Sequence, residues 1–249
     1  VSALRAKCPD CRTLTAVAIG PEYQCHSCGR EFFGGLVRVP RAWGTGGDAM
    51  AGAAAMALPW PEAATIEEPT LAGQIVVTAR ELPQRPLVLG GCCCAHVGAV
   101  RELARRHGRI GLVWFDAHGD LNTVESSASG NAWGMPLRML IDAGDVAARD
   151  VALVGARNLD PPEADFIQRA GIRRELGDLP DLVYVALDCD VFAPGSLDVF
   201  MPEAGGPSPA DLEPVLAAIP APVGLGLTGL VPSKRNEAIL PRLAHALGF

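Results

Sequence analysis

No stretch of this 249-residue chain is an apolar run of about 18 residues, the length a membrane-spanning helix needs, so no membrane association is expected. The opening residues "VSALRAKCPDC" are basic but lack the apolar core of an export signal, and the expected location is the cytoplasm. An excess of positive charge is missing as well. The formal net charge is -7, and the first 35 residues carry few aromatics and only scattered bases (Lys7, Arg12, Arg30), so no nucleic-acid partner is expected. What the chain does have is apolar material: 49% hydrophobic against 20% charged residues is ample for a sizeable core.

Its eight cysteines are clustered rather than spread as a disulfide framework would be. Cys8, Cys11, Cys25 and Cys28 form two CxxC pairs, "CPDC" and "CHSC", with thirteen residues between the inner members. Two such knuckles can present four thiolates at the corners of a tetrahedron, the arrangement structural zinc prefers. A segment this small has almost no core, so metal binding would supply its folding free energy. Residues 1–35 therefore read as a zinc-ribbon-like module with one structural Zn²⁺, and residues 36–249 as a separate α/β domain. His26, between two of the thiols, reads as a solvated knuckle residue. The other cysteines are Cys92, Cys93 and Cys94 in a row and Cys189 alone.

Residues 40–70, rich in Pro, Gly and Ala, read as a linker merging into a loop. Beyond them strands and helices alternate. "GQIVVTARELP" reads as a helix, "RPLVLGG" as a strand, and "VGAVRELARRHG" as an amphipathic helix ending at Gly108, with Val97, Val100, Leu103 and Ala104 on one face. "RIGLVWFD", "DVALVGAR", "DLVYVALD" and "VGLGLTGLV" are apolar strands. "MPLRMLIDAG", "PPEADFIQRAG", "SPADLEPVLAAI" and "NEAILPRLAHALGF" are helices, the third opened by Ser208 as N-cap, Pro209 and a capping box closed by Asp211. Strands apolar on both faces, alternating with helices, imply a mainly parallel sheet covered by helices in three α/β/α layers.

In such sheets ligands bind beyond the carboxyl ends of the strands. Two acidic clusters fall there. "GLVWFDAHGDLNT" puts Asp116, His118 and Asp120 on alternate positions after an apolar run, and "ALDCDVFAPG" does the same with Asp188 and Asp190. Alternate residues of an extended segment share a face. Four carboxylates and one imidazole at one sheet edge would repel one another without cations, and five donors exceed what one ion needs. Two divalent ions bridged by carboxylates satisfy the set. Hard oxygen donors with a single imidazole favour Mn²⁺. Two ions about 3.5–4 Å apart can share a water and lower its pKa.

These motifs, "FDAHGDLNT…SGNAWG" and "LDCDVFAPG…PEAGG", resemble the signatures of the arginase/agmatinase/formimidoylglutamase (ureohydrolase) family over roughly residues 82–235. The resemblance implies a three-layer α/β/α fold, a binuclear manganese centre, and hydrolysis of guanidino or formimidoyl groups by a metal-bridging hydroxide. It also implies that Asp116, His118, Asp120, Asp188 and Asp190 are five of six metal ligands. The sixth comes from a GGDH motif in the family; here "LGGCCCAH" puts Cys93 at the histidine position, which opens the site to Zn²⁺ or Fe²⁺. His96 is an alternative, although position and helix geometry favour Cys93. Asn122, Ser129 and Asn131 match residues that hold the substrate's carboxylate in arginases, and Asp160 matches one near its α-amino group. Those residues either recognise an amino-acid-like head or keep the loop in shape. A homo-oligomer, trimer or hexamer, is likewise implied.

The chain departs from the family at two places that matter. Trp133 stands where arginases have the proton-shuttling histidine of SGNxH, and Gly229 where a glutamate pairs with guanidinium; Ala193 also replaces an aspartate before proline. The expectation is a metal-dependent hydrolase of linear non-peptide C–N bonds acting on a small-molecule guanidine, modified guanidine or amidine. Trp133 would line its substrate pocket, and Asp120 would take the proton as the catalytic carboxylate. The alternative is a catalytically silent arginase-fold protein that binds metal or ligand and contacts a partner through its ribbon.

Overall fold

The computed structural model describes residues 5–6, 11, 13, 15–19, 22–33, 35–219 and 222–249. Cys8, Lys7 and Arg12 lie outside the described residues. Four short strands near the N-terminus, β1 (Arg5–Ala6), β2 (Ala16–Ile19), β3 (Glu22–Cys25) and β4 (Glu31–Phe33), pair antiparallel in the order β1-β2-β3-β4. They form a sheet of their own.

The larger sheet starts at β5 (Gly35–Val39), followed by the short helix α1 (Asp48–Ala51), a 3-10 turn at Gly52–Ala55 and β6 (Glu62–Thr65). This corrects the reading of residues 40–70 as linker and loop: α1 and β6 fall within them, and β6 joins the main sheet parallel to β5. Next come α2 (Leu71–Glu81), β7 (Pro86–Gly90), α3 (Ala95–His107), β8 (Gly111–Phe115) and α4 (Pro136–Asp142). The chain continues through β9 (Val151–Val154), α5 (Pro161–Ala170), β10 (Val183–Asp188), α6 (Pro209–Ala217), β11 (Gly224–Thr228) and α7 (Lys234–Ala246). The seven strands run in the order β6-β5-β7-β11-β10-β8-β9, and every pairing is parallel.

Alternate residues of each central strand feed opposite cores. Leu112, Trp114, Tyr184 and Ala186 pack with Leu103, Leu137, Leu140 and Ile167 from α3, α4 and α5, whereas Val113, Phe115, Val185 and Leu187 pack with Leu212, Leu216, Leu240 and Leu243 from α6 and α7. Each such fully buried side chain contributes about 1.5–3 kcal/mol relative to exposure, so both helical layers are held by the strands' two-residue period. Helix boundaries follow the local chemistry. Gly108 takes φ 77 after α3, Gly171 takes φ 67 after α5, and capping boxes open α5 (Asp160 with Glu163) and α6 (Ser208 with Asp211).

The glycines of β11 have a packing reason. A β-carbon on Gly226 would collide with the His96 ring and with Tyr184 Oη, so the bare backbone lets α3 lay a buried histidine on the sheet. Among the described residues no helix is long and apolar enough to cross a membrane.

Candidate metal centre

Four neighbouring strands, β7, β11, β10 and β8, end in one row. Gly90 belongs to the row through Leu227↔Leu89, Thr228 is paired with Asp188, and Leu187 is paired with Phe115, immediately before Asp116. The chain leaving β7 supplies Cys92, Cys93 and Cys94 just ahead of α3. Side chains from sequence positions far apart therefore converge on one pocket. It is lined by Cys93, Asp116, His118, Asp120, Asp188 and Asp190 at its floor and by Asn122, Ser129, Asn131, Trp133 and Asp160 on its wall.

The convergence does not arise by the alternation the sequence suggests. Residues 116–120 leave β8 in a bend, and Asp120 has φ 54, the only non-glycine residue in the left-handed region among those described. Asp190 sits in a 3-10 turn, Cys189–Val191, begun by Asp188. Turns, not extended faces, aim both clusters inward. A left-handed aspartate costs about 1–2 kcal/mol relative to the ordinary basin, so the bend is held by its surroundings: Glu163 accepts from Leu121 N (2.9 Å) and Asp160 N (3.0 Å).

Among the described residues, three groups offer ligand atoms within 4.8 Å of one another: Cys93/Asp116/Asp120, Asp116/His118/Asp190 and, in the N-terminal module, Cys11/Cys25/Cys28. The first two share Asp116. All four carboxylates are buried, with exposures of 1% for Asp116, 4% for Asp120, 7% for Asp188 and 4% for Asp190. Asp116 accepts from His118 N (2.7 Å) and Trp114 Nε1 (3.1 Å). Asp190 accepts from Ala117 N (3.0 Å), and Asp188 from Asp190 N (3.0 Å), the Cys93 thiol (2.8 Å) and the Thr228 hydroxyl (3.3 Å). Asp120 Oδ2 is buried with no hydrogen-bond partner.

The protonation pattern shows what this arrangement demands. Burial pushes Asp120 and Asp188 well above the carboxylate range, and the neighbouring carboxylates push further: Asp116 and Asp188 on Asp120, Asp190 and Asp116 on Asp188. Asp190 is raised to about 6 by burial and by Asp116. For Asp116 burial acts upward too, but the hydrogen bond and charge of His118 outweigh it and hold it low. Burial opposes a charge on His118, yet Asp116 and Asp190 together push it up to about 12. Its Nδ1 lies 3.0 Å from Asp190 Oδ2 and 3.4 Å from Asp116 Oδ1. In the ion-free protein a proton on that nitrogen thus acts as counter-ion between two aspartates, the place a cation held by the same three residues would take. The unpartnered Asp120 oxygen and the mixed carboxylate, imidazole and thiol donors fit divalent metal.

Of the two candidates for the sixth donor, His96 faces away. Its ring bonds Tyr184 Oη (3.1 Å) and Thr228 Oγ1 (3.2 Å) and meets Trp114 edge-on, and burial lowers its pKa to about 3. Cys93 faces the cluster, with Sγ 3.8 Å from Asp116 Oδ2. Cys92, which also lines the pocket, and Cys94 cluster with Met50.

On the wall, Asn122 Nδ2 donates to Asp160 Oδ2 (2.8 Å) while its Oδ1 accepts from Ser126; Asn131 Oδ1 accepts from Thr45 N (2.9 Å). Ser129 is exposed and accepts from Asn131 N (3.3 Å). Trp133 meets Phe200 edge-on at 5.8 Å, so the histidine position of the family is an apolar wall here. Gly229 has φ 73, and a β-carbon there would run into the Asp188 carboxylate.

Three contributors carried no distinctive spacing in the sequence. Glu163 reads as an ordinary helix-cap residue. Glu203, 3.4 Å from His118 Nε2 and an acceptor from Asn158 Nδ2, sits in the quoted "PEAGG" without signalling a role. Arg157 donates to the carbonyls of Asp190, Val191, Glu203 and Ala204, tying the two loops over the pocket together.

The arginase family model matches residues 61–175. The arginase of Bacillus subtilis is 37% identical over 100 residues, which are 35% of this chain and 34% of that protein. That of Staphylococcus aureus is 40% identical over 98 residues, 35% of this chain and 32% of that protein. In aligned sequence the chain thus spans about a third of the length of the curated relatives it matches. In structure the likeness is wider: an Entamoeba histolytica arginase superposes with a TM-score of 0.73 at 18% identity, covering 86% of this chain and 98% of that one. Motif order, fold and sequence match agree: over residues 61–175 the chain is similar to the arginase (ureohydrolase) family, and its fold is that of arginases.

Proposed function

We propose that this protein is a metal-dependent hydrolase of linear non-peptide C–N bonds, acting on a small-molecule guanidino, modified guanidino or amidine substrate. The observation that carries the reading is the pair of donor groups sharing Asp116 at a pocket floor, one of them including Asp120, whose Oδ2 is buried and unpartnered. Cys93, Asp116, His118, Asp120, Asp188 and Asp190 would hold two divalent cations, which supply Lewis acidity and an activated water.

The chain's own residues do the rest. Asp120 Oδ2 takes the proton released when water adds to the C–N carbon and returns it to the departing nitrogen. Glu203 Oε1, 3.4 Å from His118 Nε2, orients the ring so that Nδ1 faces the floor. Trp133 and Phe200 exclude water from one wall. Asn122, Ser129, Asn131 and Asp160 line the same pocket, and several of their polar atoms are bonded to each other, so their first task is to hold the loop. No carboxylate stands at 229 to pair with a guanidinium, which favours a less basic substrate than arginine.

The test is the purified, Mn²⁺- or Zn²⁺-loaded protein offered arginine, agmatine, N-hydroxyarginine and formimidoyl compounds. Release of urea, amide or ammonia from one of them is expected. Release from none, with both ions bound, favours the second reading, a silent metal- or ligand-binding protein; Trp133 and Gly229 at the two departed positions support that reading. Under either reading residues 1–35 act as a structural zinc module through Cys8, Cys11, Cys25 and Cys28.

A further inference from the structure

The floor of the pocket is chemically lopsided. One donor group, Cys93/Asp116/Asp120, contains sulfur and carboxylate oxygen only; the other, Asp116/His118/Asp190, contains oxygen and one imidazole nitrogen. Asp116 is common to both.

Distances decide whether the thiol is a ligand in waiting or a bystander. Two donors on one tetrahedral zinc, with Zn–S about 2.3 Å and Zn–O about 2.1 Å, stand about 3.6 Å apart. Cys93 Sγ lies 3.8 Å from Asp116 Oδ2 and within 4.8 Å of the Asp120 donor, so one ion reaches all three with little movement. Thr228 Oγ1 sits 3.2 Å from Cys93 Sγ and 3.2 Å from His96 Nε2, which locks the thiol's bearing from behind. Asp120 Oδ2 is the unpartnered buried oxygen, and it belongs to this half. Of the three cysteines in the run, Cys93 is the one in a ligand group among the described residues; Cys92 and Cys94 cluster with Met50.

We propose that the centre is heterobimetallic, with Cys93, Asp116 and Asp120 retaining Zn²⁺ (or Fe²⁺) while Asp116, His118 and Asp190 accept Mn²⁺. The inference rests on the metal-centre reading above and goes beyond it by giving the two halves different ions. Every site of this kind binds Zn²⁺ more tightly than Mn²⁺, so the distinction is one of degree: thiolate widens the preference, and carboxylate and imidazole alone leave it narrow enough for excess Mn²⁺ to win.

The experiment uses the full chain, with Co²⁺ as a spectroscopic probe and wild type compared with Cys93→Ser and Cys93→His. The ribbon thiols give cobalt–thiolate absorption in all three proteins, so the quantity read is the increment of wild type over the variants. Expected are three cobalt ions per wild-type chain, a charge-transfer increment that both substitutions abolish, and a two-ion centre kept in Cys93→His. After equilibration with excess Mn²⁺ and limiting Zn²⁺, wild type holds one Zn²⁺ and one Mn²⁺ in the centre. In Cys93→His the Zn²⁺ preference of that half falls by about tenfold or more. Should a variant not fold, X-ray absorption at the zinc edge of the wild type gives the answer unaided: one scatterer near 2.3 Å beyond those of the ribbon.

No increment with two ions bound, or unchanged zinc retention in Cys93→His, overturns the proposal and leaves the metal centre standing. One cobalt per chain, in the ribbon alone, sinks both.

Discussion

A β-carbon on Gly229 would overlap the carboxylate of Asp188, and the backbone there is left-handed at φ 73. The position at which the family carries its guanidinium-pairing glutamate is therefore closed to any side chain in this protein, and Gly229 is coupled sterically to the metal centre.

The first prediction follows. Gly229→Ala costs about 1–2 kcal/mol for the left-handed backbone alone, and displacement of Asp188 lowers metal occupancy. Gly229→Glu does not create hydrolysis of arginine. Urea unfolding, metal content and urea release check it; a Gly229→Glu variant with wild-type stability and arginase activity would refute the steric account.

Second, removal of the ions makes stability fall as pH rises. Asp190 is raised to about 6, and Asp120 and Asp188 lie above the carboxylate range, in each case first by burial and then by neighbouring carboxylates. An acid with a raised folded pKa holds its proton better folded than unfolded, so stability is lost as pH rises through that value. Asp190 acts between about pH 4 and 6, and Asp120 and Asp188 continue upward from the unfolded value of about 4. His118, raised to about 12, has the same sign above about pH 6.5. Urea midpoints of chelated protein are expected to decline from about pH 6 to 9, and saturating Mn²⁺ or Zn²⁺ to flatten the profile. A midpoint that climbs over that range in the chelated protein counts against this charge pattern.

Third, His96 governs the acid side. Burial lowers its pKa to about 3, so the neutral ring contributes stability that is complete above about pH 6.5 and is lost as pH falls towards 3. The full effect is of the order of 5 kcal/mol. His96→Asn gives up the bonds to Tyr184 and Thr228, costing about 1–3 kcal/mol at pH 8. It also removes most of the slope between about pH 7 and 4. Parallel profiles for the two proteins would show that another group sets the acid limb.

Much of this was legible in the residues. The order of strands and helices from residue 71 onward, the capping box at Ser208, and the meeting of Asp116 with Asp188 follow from apolar periodicity, from cap chemistry and from the rule that α/β sites gather at strand ends. β5 and β6 were not legible, because a five-residue strand and an edge strand reading EAAT carry too little pattern amid Gly, Pro and Ala. The acidic clusters converge by a bend and a 3-10 turn rather than by shared faces, since spacing of two alone does not fix the backbone between the residues. Glu163, Glu203 and Thr228 act by position alone, and no local pattern announces them. Position and helix geometry already favoured Cys93 over His96; that His96 lies against Gly226 and Tyr184 required the packing of α3 on the sheet.

The fourth prediction concerns the N-terminal module. Cys11 Sγ and Cys25 Sγ lie 3.5 Å apart, well beyond a disulfide at about 2.05 Å. It is close to the separation of about 3.8 Å between two thiolates on one tetrahedral zinc with 2.3 Å bonds. Cys28 is within 4.8 Å of both. Thr15, whose hydroxyl is 3.4 Å from Cys25 Sγ, is the main cause holding that thiol down at about 5, in the thiolate form a metal needs. Cys28→Ser should therefore lower zinc content by one ion per chain and raise amide exchange across β2 and β3. Exchange in β7, β8, β10 and β11 should stay as it was, because among the described residues the four-stranded and seven-stranded sheets share no ladder. Zinc analysis with hydrogen-exchange mass spectrometry reads both parts, and collapse of protection in the large sheet would mean that the module is part of the domain's folding unit.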